Sequence, residues 1–324
     1  MRSLGVDLGG SKLLACVTDE QGTMLGATTR ITGRATGPGH AHRLIVAVAR
    51  ELQEAYGPCD AIGIGFPGTV DFHRGIARGS VMLDGWSDVP LADWVSRTLG
   101  IHCVVDNDVN AAAIAELRRR EDELPESMLF IAVGTGIGGA ITFGNQLWRG
   151  HAGVAGEIGN MSIDRHGERC WCGRRGCLNT LASGTAIAQQ LGPGRPPVHL
   201  AMTGDPRVEA AVDAAAAALG FGVANALNLL NPALVVFGGG VAQFGARWLD
   251  TVSRVARAEA FPEAGQCKFE FARAGYGQAP SARRCSVSVP ASSIMPRCRP
   301  AGSTTRSGSR KRLQCRPDSV PLLP

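Results

Sequence analysis

The sequence predicts an α/β protein made of two similar domains that face each other across a cleft, and three observations carry that prediction. A β-hairpin with a glycine-rich, hydroxyl-bearing turn occurs twice, in SLGVDLGGSKLLACVT and in MLFIAVGTGIGGAITFG, with Ser11 and Thr135 as the hydroxyl residues. Short apolar runs alternate with helical periodicity over the first 110 residues. A long Ala-rich helical run then precedes the buried strand ALVVFGGGV, which ends in three glycines.

The elements follow in order. Residues 3–8 (SLGVDL) form an apolar strand, Gly9 and Gly10 break it, and residues 13–18 (LLACVT) return antiparallel to it. Residues 42–56 place Leu44, Ile45, Val48, Leu52 and Ala55 at helical spacing, and the strand AIGIGFPG follows. HCVVDND is a strand that runs into the helix VNAAAIAELRRRED. The second hairpin comes next, and VEAAVDAAAAALGFGVANALNLL is a helix that ends before Asn231 and Pro232. These elements define an N-terminal domain over residues 1–110 and a C-terminal domain over residues 111–280, the second carrying a cysteine loop at 166–177. From Gln278 the pattern collapses. Residues 281–324 are rich in Ser, Pro and Arg, show neither period, and are expected to be a disordered basic tail. A domain of this sort closes with a helix after Tyr276, and the sequence supplies none.

A chain of 324 residues with 44% hydrophobic and 19% charged residues has material for two cores, which excludes disorder throughout. The formal charge of +5 belongs to the tail: residues 281–324 carry +8, leaving −3 for the rest. A basic nucleic-acid-binding domain is therefore not expected. No run of about 18 uncharged apolar residues appears, and MRSLGVDLGGSK lacks the layout of a secretory signal. The expectation is a cytoplasmic protein with no membrane partner. Three of the ten cysteines cluster as Cys170, Cys172 and Cys177, which favours a metal site plus free thiols over disulfides.

Glycine turns let backbone N–H groups approach phosphate oxygens, and an adjacent hydroxyl or Lys adds donors or charge. DLGGSK and GTGIGG have this form, although each alone fits a plain hairpin turn equally well. With Gly238, Gly239 and Gly240 as a third cluster, three such turns suit a nucleotide. Asp108, in DNDVN, lies where a strand meets a helix, a position from which a carboxylate accepts a proton during phosphoryl transfer. Residues 106–110 also read as a helix cap, with Asn110 the expected capping residue. Zn²⁺ takes four soft ligands, so the three cysteines need one more, and His166 is the nearest candidate.

These motifs together resemble the ROK family (repressors, uncharacterised reading frames and sugar kinases) of the actin-like ATPase and hexokinase superfamily. The resemblance runs from about Leu4 to Gly275 through LGVDLGGSKLLACVTD, IGIGFPGTVD, DNDVNAAAIAE, IAVGTGIGGA, AGVAGEIGNM, CWCGRRGCLNTLASG and NALNLLNPALVVFGGGV. It implies two ribonuclease H-like domains around a nucleotide and sugar cleft, with ATP and Mg²⁺ as cofactors and a homo-oligomeric state. Asp7, Gly9, Gly10 and Lys12 match the first phosphate motif of the family. Gly134, Thr135, Gly136, Gly138 and Gly139 match the second, and Gly238, Gly239 and Gly240 match the adenosine-side turn. Asp108 falls on the catalytic base, while Asn107, Gly68 and Glu157 fall on sugar-side positions.

The departures point at the substrate. Family sugar kinases read GEIGH and GCxE where this chain has Asn160 and Asn179, both counted here as substrate-binding positions. Each change puts a neutral amide where an ionisable partner stands. Met82 replaces an Asn that many family glucokinases carry before Leu-x-x-Trp, here Leu83 and Trp86. The same His is the family's fourth zinc ligand, so Asn160 leaves three matched cysteines. The resulting expectation is an ATP-dependent kinase acting on a primary hydroxyl of a hexose-like polyol. A valiolone-type C7-cyclitol of antibiotic biosynthesis is one such substrate. The alternatives are a glucokinase or N-acylhexosamine kinase, or a non-catalytic sugar-binding homologue. No helix-turn-helix fits ahead of the first phosphate motif, so the repressor branch is not expected.

Overall fold

The computed structural model describes residues 1–33, 35–192 and 205–273; the tail expected at 281–324 lies outside them. The first hairpin forms as its glycines dictate. Strand β1 (Ser3–Leu8) turns through Gly9, whose N–H donates to the Lys12 carbonyl at 2.9 Å, into β2 (Lys12–Thr18), and β3 (Met24–Ile31) adds an outer strand. Helix α1 (Pro38–Tyr56) starts on a proline and crosses over to β4 (Ala61–Phe66). A small hairpin of β5 (Thr69–Asp71) and β6 (Ile76–Gly79) follows, then α2 (Leu91–Leu99) and β7 (His102–Asn107). The sheet order is β3-β2-β1-β4-β7, with β1, β4 and β7 parallel. Every residue of β4 is buried, because a parallel neighbour lies on each side and helices cover the faces.

The second half repeats this topology. After α3 (Asp108–Arg118) come β8 (Ser127–Val133), β9 (Ile137–Phe143) and β10 (Gln146–Trp148). Short helices α4 (Asn179–Ala182) and α5 (Gly184–Gln190) precede the long α6 (Pro206–Leu230). Then β11 (Leu234–Gly238), α7 (Ala246–Glu259) and β12 (Lys268–Phe271) complete the described chain. The order β10-β9-β8-β11-β12 has the same antiparallel triplet followed by two parallel crossovers as the first sheet. The duplicated hairpin in the sequence is thus the start of a duplicated sheet. Strands β3, β5, β6, β10 and β12 and helices α2, α4, α5 and α7 add to the elements expected.

Each sheet has its own core, one around Leu4, Ile45, Ile64 and Phe66 and the other around Ile131, Leu219, Phe237 and Trp248. Helix α3 lies between them. Ala111 and Ala115 pack with Phe72 and Val104 of the first half, while Ala112, Ala113 and Leu117 pack on Met128, Phe130 and Val236 of the second. An alanine-rich helix is thin enough for both halves to close on it. Among the described residues α6 alone is long and apolar enough to cross a membrane, and its Val212, Ala216, Leu219, Val223 and Leu227 are spent on the second core.

Candidate active site

The two glycine-turn hairpins meet at the start of α3, with the third glycine turn against the second, and backbone packing explains how. Asp7 on β1, Gly65 on β4 and Asp106 on β7 are register partners across the first sheet. Because Gly65 has no side chain, the backbone of Asp108 settles onto it; a Cβ there would lie 3.4 Å from the Asp108 Cα. This brings Asp108 near Asp7. The second turn, Gly134 to Gly136, reaches α3 through Gly138, where a Cβ would stand 2.7 Å from a Val109 methyl. The third turn lies against the second: Gly239 has φ +90°, and a Cβ on it would collide with the carbonyl of Val133. Gly134 and Gly240 face open space, with nothing within 4 Å of a Cβ position.

The turns are also held from behind. Gly184 N–H donates to the Gly134 carbonyl at 2.8 Å and the Thr185 hydroxyl to the Thr135 carbonyl at 2.7 Å, so the start of α5 clasps the second turn. The Thr32 hydroxyl donates to the Gly9 carbonyl at 2.8 Å and braces the first. Lys12 is exposed beside that turn, and Met82 packs over Gly10.

At the strand-to-helix junction the cap is Asn107, correcting the expectation of Asn110. Asn107 has the extended backbone that a cap needs (φ −60°, ψ 145°), and its side-chain oxygen accepts from the N–H groups of Val109 and Asn110. Its amide nitrogen donates to the Gly68 carbonyl at 3.1 Å, and Gly68 is glycine because a side chain there would collide with the Gly79 carbonyl. Asn110 instead donates from its side chain to Asp106. Burial pushes the Asp108 carboxyl up to about 7, the nearby charges of Asp7 and Glu157 add to the rise, and the Val109 N–H works against it. Burial likewise raises Asp7 to about 6, partly offset by Lys12. Burial raises Glu157 too, against the hydrogen bond it receives from Asn160.

Asn160 and Asn179 are joined to Glu157. Asn179 is 5% exposed; its Oδ1 accepts from Ile137 N–H at 2.7 Å and its Nδ2 donates to Asn160 Oδ1 at 3.0 Å. Asn160 Nδ2 in turn donates to Glu157 Oε2 at 3.0 Å. The acceptor of Asn179, expected to face a substrate, is therefore taken by the backbone of β9.

Sequence reasoning missed Arg149. Its guanidinium makes a two-pronged pair with Asp106 Oδ2 (2.6 and 3.0 Å) and lies 3.6 Å over the Phe72 ring. It bonds the segment after β10 to β7, the strand that ends in Asn107 and leads into Asp108. The partners are 43 positions apart, so no local pattern announces them.

The thiols of Cys170, Cys172 and Cys177 lie within 4.8 Å of one another, three of the four donors that a structural Zn²⁺ requires. His166 is not in this cluster, which corrects its expected place as fourth ligand. It is exposed, with its ring accepting from Arg165 Nε at 3.0 Å. Among the described residues no fourth His, Cys, Asp or Glu joins the group. No disulfide links the described cysteines.

A duplicated sheet with glycine turns at the hinge and a carboxylate between them defines the actin-like ATPase fold. The chain belongs to the ROK family, whose model matches residues 3–285. It is 33% identical over 246 residues to the N-acetylmannosamine kinase of Yersinia pseudotuberculosis serotype O:1b (strain IP 31758), covering 74% of this chain and 83% of that protein. Its fold superimposes on a ROK family glucokinase from Streptomyces griseus, solved with glucose and AMPPNP, with a TM-score of 0.77 and 28% identity, covering 91% of this chain and 98% of that one. A ROK hexokinase from Thermus thermophilus gives a TM-score of 0.71 at 29% identity, covering 91% and 99% of the two chains.

Proposed function

We propose that this ROK-family chain is an ATP-dependent sugar kinase that transfers the γ-phosphoryl group of ATP to a substrate hydroxyl. The observation that carries this reading is the carboxyl of Asp108, raised to about 7 and set at the start of α3 beside Asp7 of the first hairpin, one residue before Val109, on which Gly138 of the second hairpin packs. A carboxylate with a pKa near neutrality is deprotonated often enough to act as a base, and basic enough to take the hydroxyl proton as the new O–P bond forms and the bond to the leaving ADP breaks. Thr135 and Gly136 offer backbone N–H groups to phosphate oxygens, while the Gly134 N–H closes the turn onto the Gly136 carbonyl; Lys12 adds positive charge, and Gly240 leaves room for the adenosine end. Asp7 and Asp108 repel each other, so a divalent cation carried by the nucleotide suits this acidic pair. Mg²⁺ would supply charge neutralisation at the phosphates.

For the acceptor, the named relatives divide between N-acetylmannosamine and glucose. Glu157, Asn160 and the Gly68–Asn107 pair would form the sugar side. The amides at 160 and 179 favour an acceptor that differs from glucose away from its primary hydroxyl, of which a C7-cyclitol is one chemical type. The test is a coupled ADP-release assay with Mg-ATP across glucose, N-acetylmannosamine, N-acetylglucosamine, fructose and C7-cyclitols, with Asp108→Asn as the blank. Turnover that disappears in the blank is the expected result. No ADP release on any member of the panel would refute the kinase reading.

A further inference from the structure

We propose that Asn179 is a positioning residue that ties the nucleotide-side turn to Glu157 through Asn160, and is not a contact to the sugar. The proposal rests on the kinase reading for what lies at each end of this relay. The relay itself rests on three hydrogen bonds: Ile137 N–H to Asn179 Oδ1 (2.7 Å), Asn179 Nδ2 to Asn160 Oδ1 (3.0 Å) and Asn160 Nδ2 to Glu157 Oε2 (3.0 Å).

The orientation of both amides follows from chemistry. An Asn side chain reads equally well when flipped, unless its partners decide. Here the relay begins at a backbone N–H, which only donates, and ends at a carboxylate, which only accepts when ionised. Only one arrangement of two amides satisfies both ends, with each nitrogen pointing toward Glu157. The packing leaves no slack: a Cβ at Gly159 would come within 2.7 Å of Asn179 Nδ2, and one at Gly136 within 3.3 Å of its Oδ1. Two glycines thus make room for the buried amide on its two sides. Ile137 directly follows the turn that offers N–H groups to phosphate, while Glu157 lies on the loop after β10. A displacement at either end is therefore transmitted through Asn179, whose buried amide has both its oxygen and its nitrogen engaged.

Three substitutions separate this role from direct sugar contact. Asn179→Ala removes the middle of the relay. Asn160→Ala cuts only the Glu157 end. Asn179→Asp keeps an acceptor for Ile137 N–H but has no donor for Asn160; if Asn160 flips to donate, its oxygen then faces the Glu157 carboxylate. The measurements are the KM for Mg-ATP and for the best sugar of the panel, together with amide hydrogen exchange of the ligand-free protein over residues 133–140 and 154–161. Asn179→Ala is expected to speed exchange in both segments and to raise both KM values three- to tenfold. Asn160→Ala and Asn179→Asp are expected to raise the sugar KM by a similar factor and leave the Mg-ATP KM within twofold of wild type.

A rise in the sugar KM alone in Asn179→Ala, with exchange over 133–140 unchanged, would make Asn179 a sugar contact and overturn the proposal. Unchanged exchange over 154–161 would overturn it as well, since the relay would then not reach Glu157. If Asn179→Ala does not fold, exchange over 154–161 in ligand-free Asn160→Ala and Asn179→Asp decides: faster exchange there supports the relay, and unchanged exchange overturns it. A wild-type protein without turnover would instead fail the kinase reading, and the exchange data would still decide whether the relay joins the two segments.

Discussion

Replacing Asp108 by Asn should make the protein more stable while removing its activity, and the gain should depend on pH. The folded-state pKa of Asp108 is about 7 against an ordinary 3.8, so burial favours the neutral form. A group whose pKa is raised on folding costs nothing where both states are protonated. The penalty grows as the unfolded chain ionises above pH 4, and levels off once the folded carboxyl ionises near pH 7. About three pKa units at 1.36 kcal/mol each give a ceiling of about 4 kcal/mol. Asp108 keeps part of its surface open to solvent, which brings the expected figure to about 2 kcal/mol. Asn retains an oxygen for the Val109 N–H and carries no charge. Urea denaturation of both proteins at pH 4.5, 6 and 8 should therefore show the variant ahead by about 2 kcal/mol at pH 8, with a gap that narrows steadily toward pH 4.5. Over the same range kcat/KM of the wild type should rise with unit slope and bend toward a plateau with its midpoint near pH 7, and Asp7→Asn should move that midpoint down by removing a like charge. A stability gap that is the same at pH 4.5 and pH 8, or a variant less stable at pH 8, would refute the account of Asp108.

Arg149→Met should destabilise the protein by about 3 kcal/mol in the same denaturation assay, because it leaves the Asp106 carboxylate, 2% exposed, without its cation. Gly239→Ala should lower stability by about 2 kcal/mol or more, read as a fall in Tm by circular dichroism, since it forces a Cβ toward the Val133 carbonyl in a left-handed backbone. Any zinc that the protein retains, read by plasma mass spectrometry, should be unchanged in His166→Ala and reduced in Cys170→Ser, because only the thiols cluster.

Much of the fold was legible from local patterns. The two hairpins announced themselves because apolar strands flanking paired glycines leave few other conformations, and the repeated order of the sheets follows from them. The helix at residues 42–56 and the helix that became α6 showed clear periodicity or composition. Strand β3 did not show itself: it is an edge strand whose residues alternate between half-buried and exposed, and its sequence, MLGATTRI, has little apolar contrast. Helix α7 buries Trp248, Val252 and Ala256 at four-residue spacing, but its many charged residues dilute that pattern.

At the site, the placement of Asp108 and of the glycines was readable because it attaches to a local geometry: glycine turns between strands, and a strand end that meets a helix. The identity of the cap at Asn107, the exclusion of His166 from the thiol cluster and the burial of Asn179 were not, since each depends on where a distant segment comes to rest. Residue type and short spacing establish which groups are present and what chemistry they allow. Pairings such as Asp106 with Arg149, or Ile137 with Asn179 across 42 positions, arise only when packed sheets bring remote backbone together, because hydrogen bonds act over about 3 Å and carry no trace along the chain.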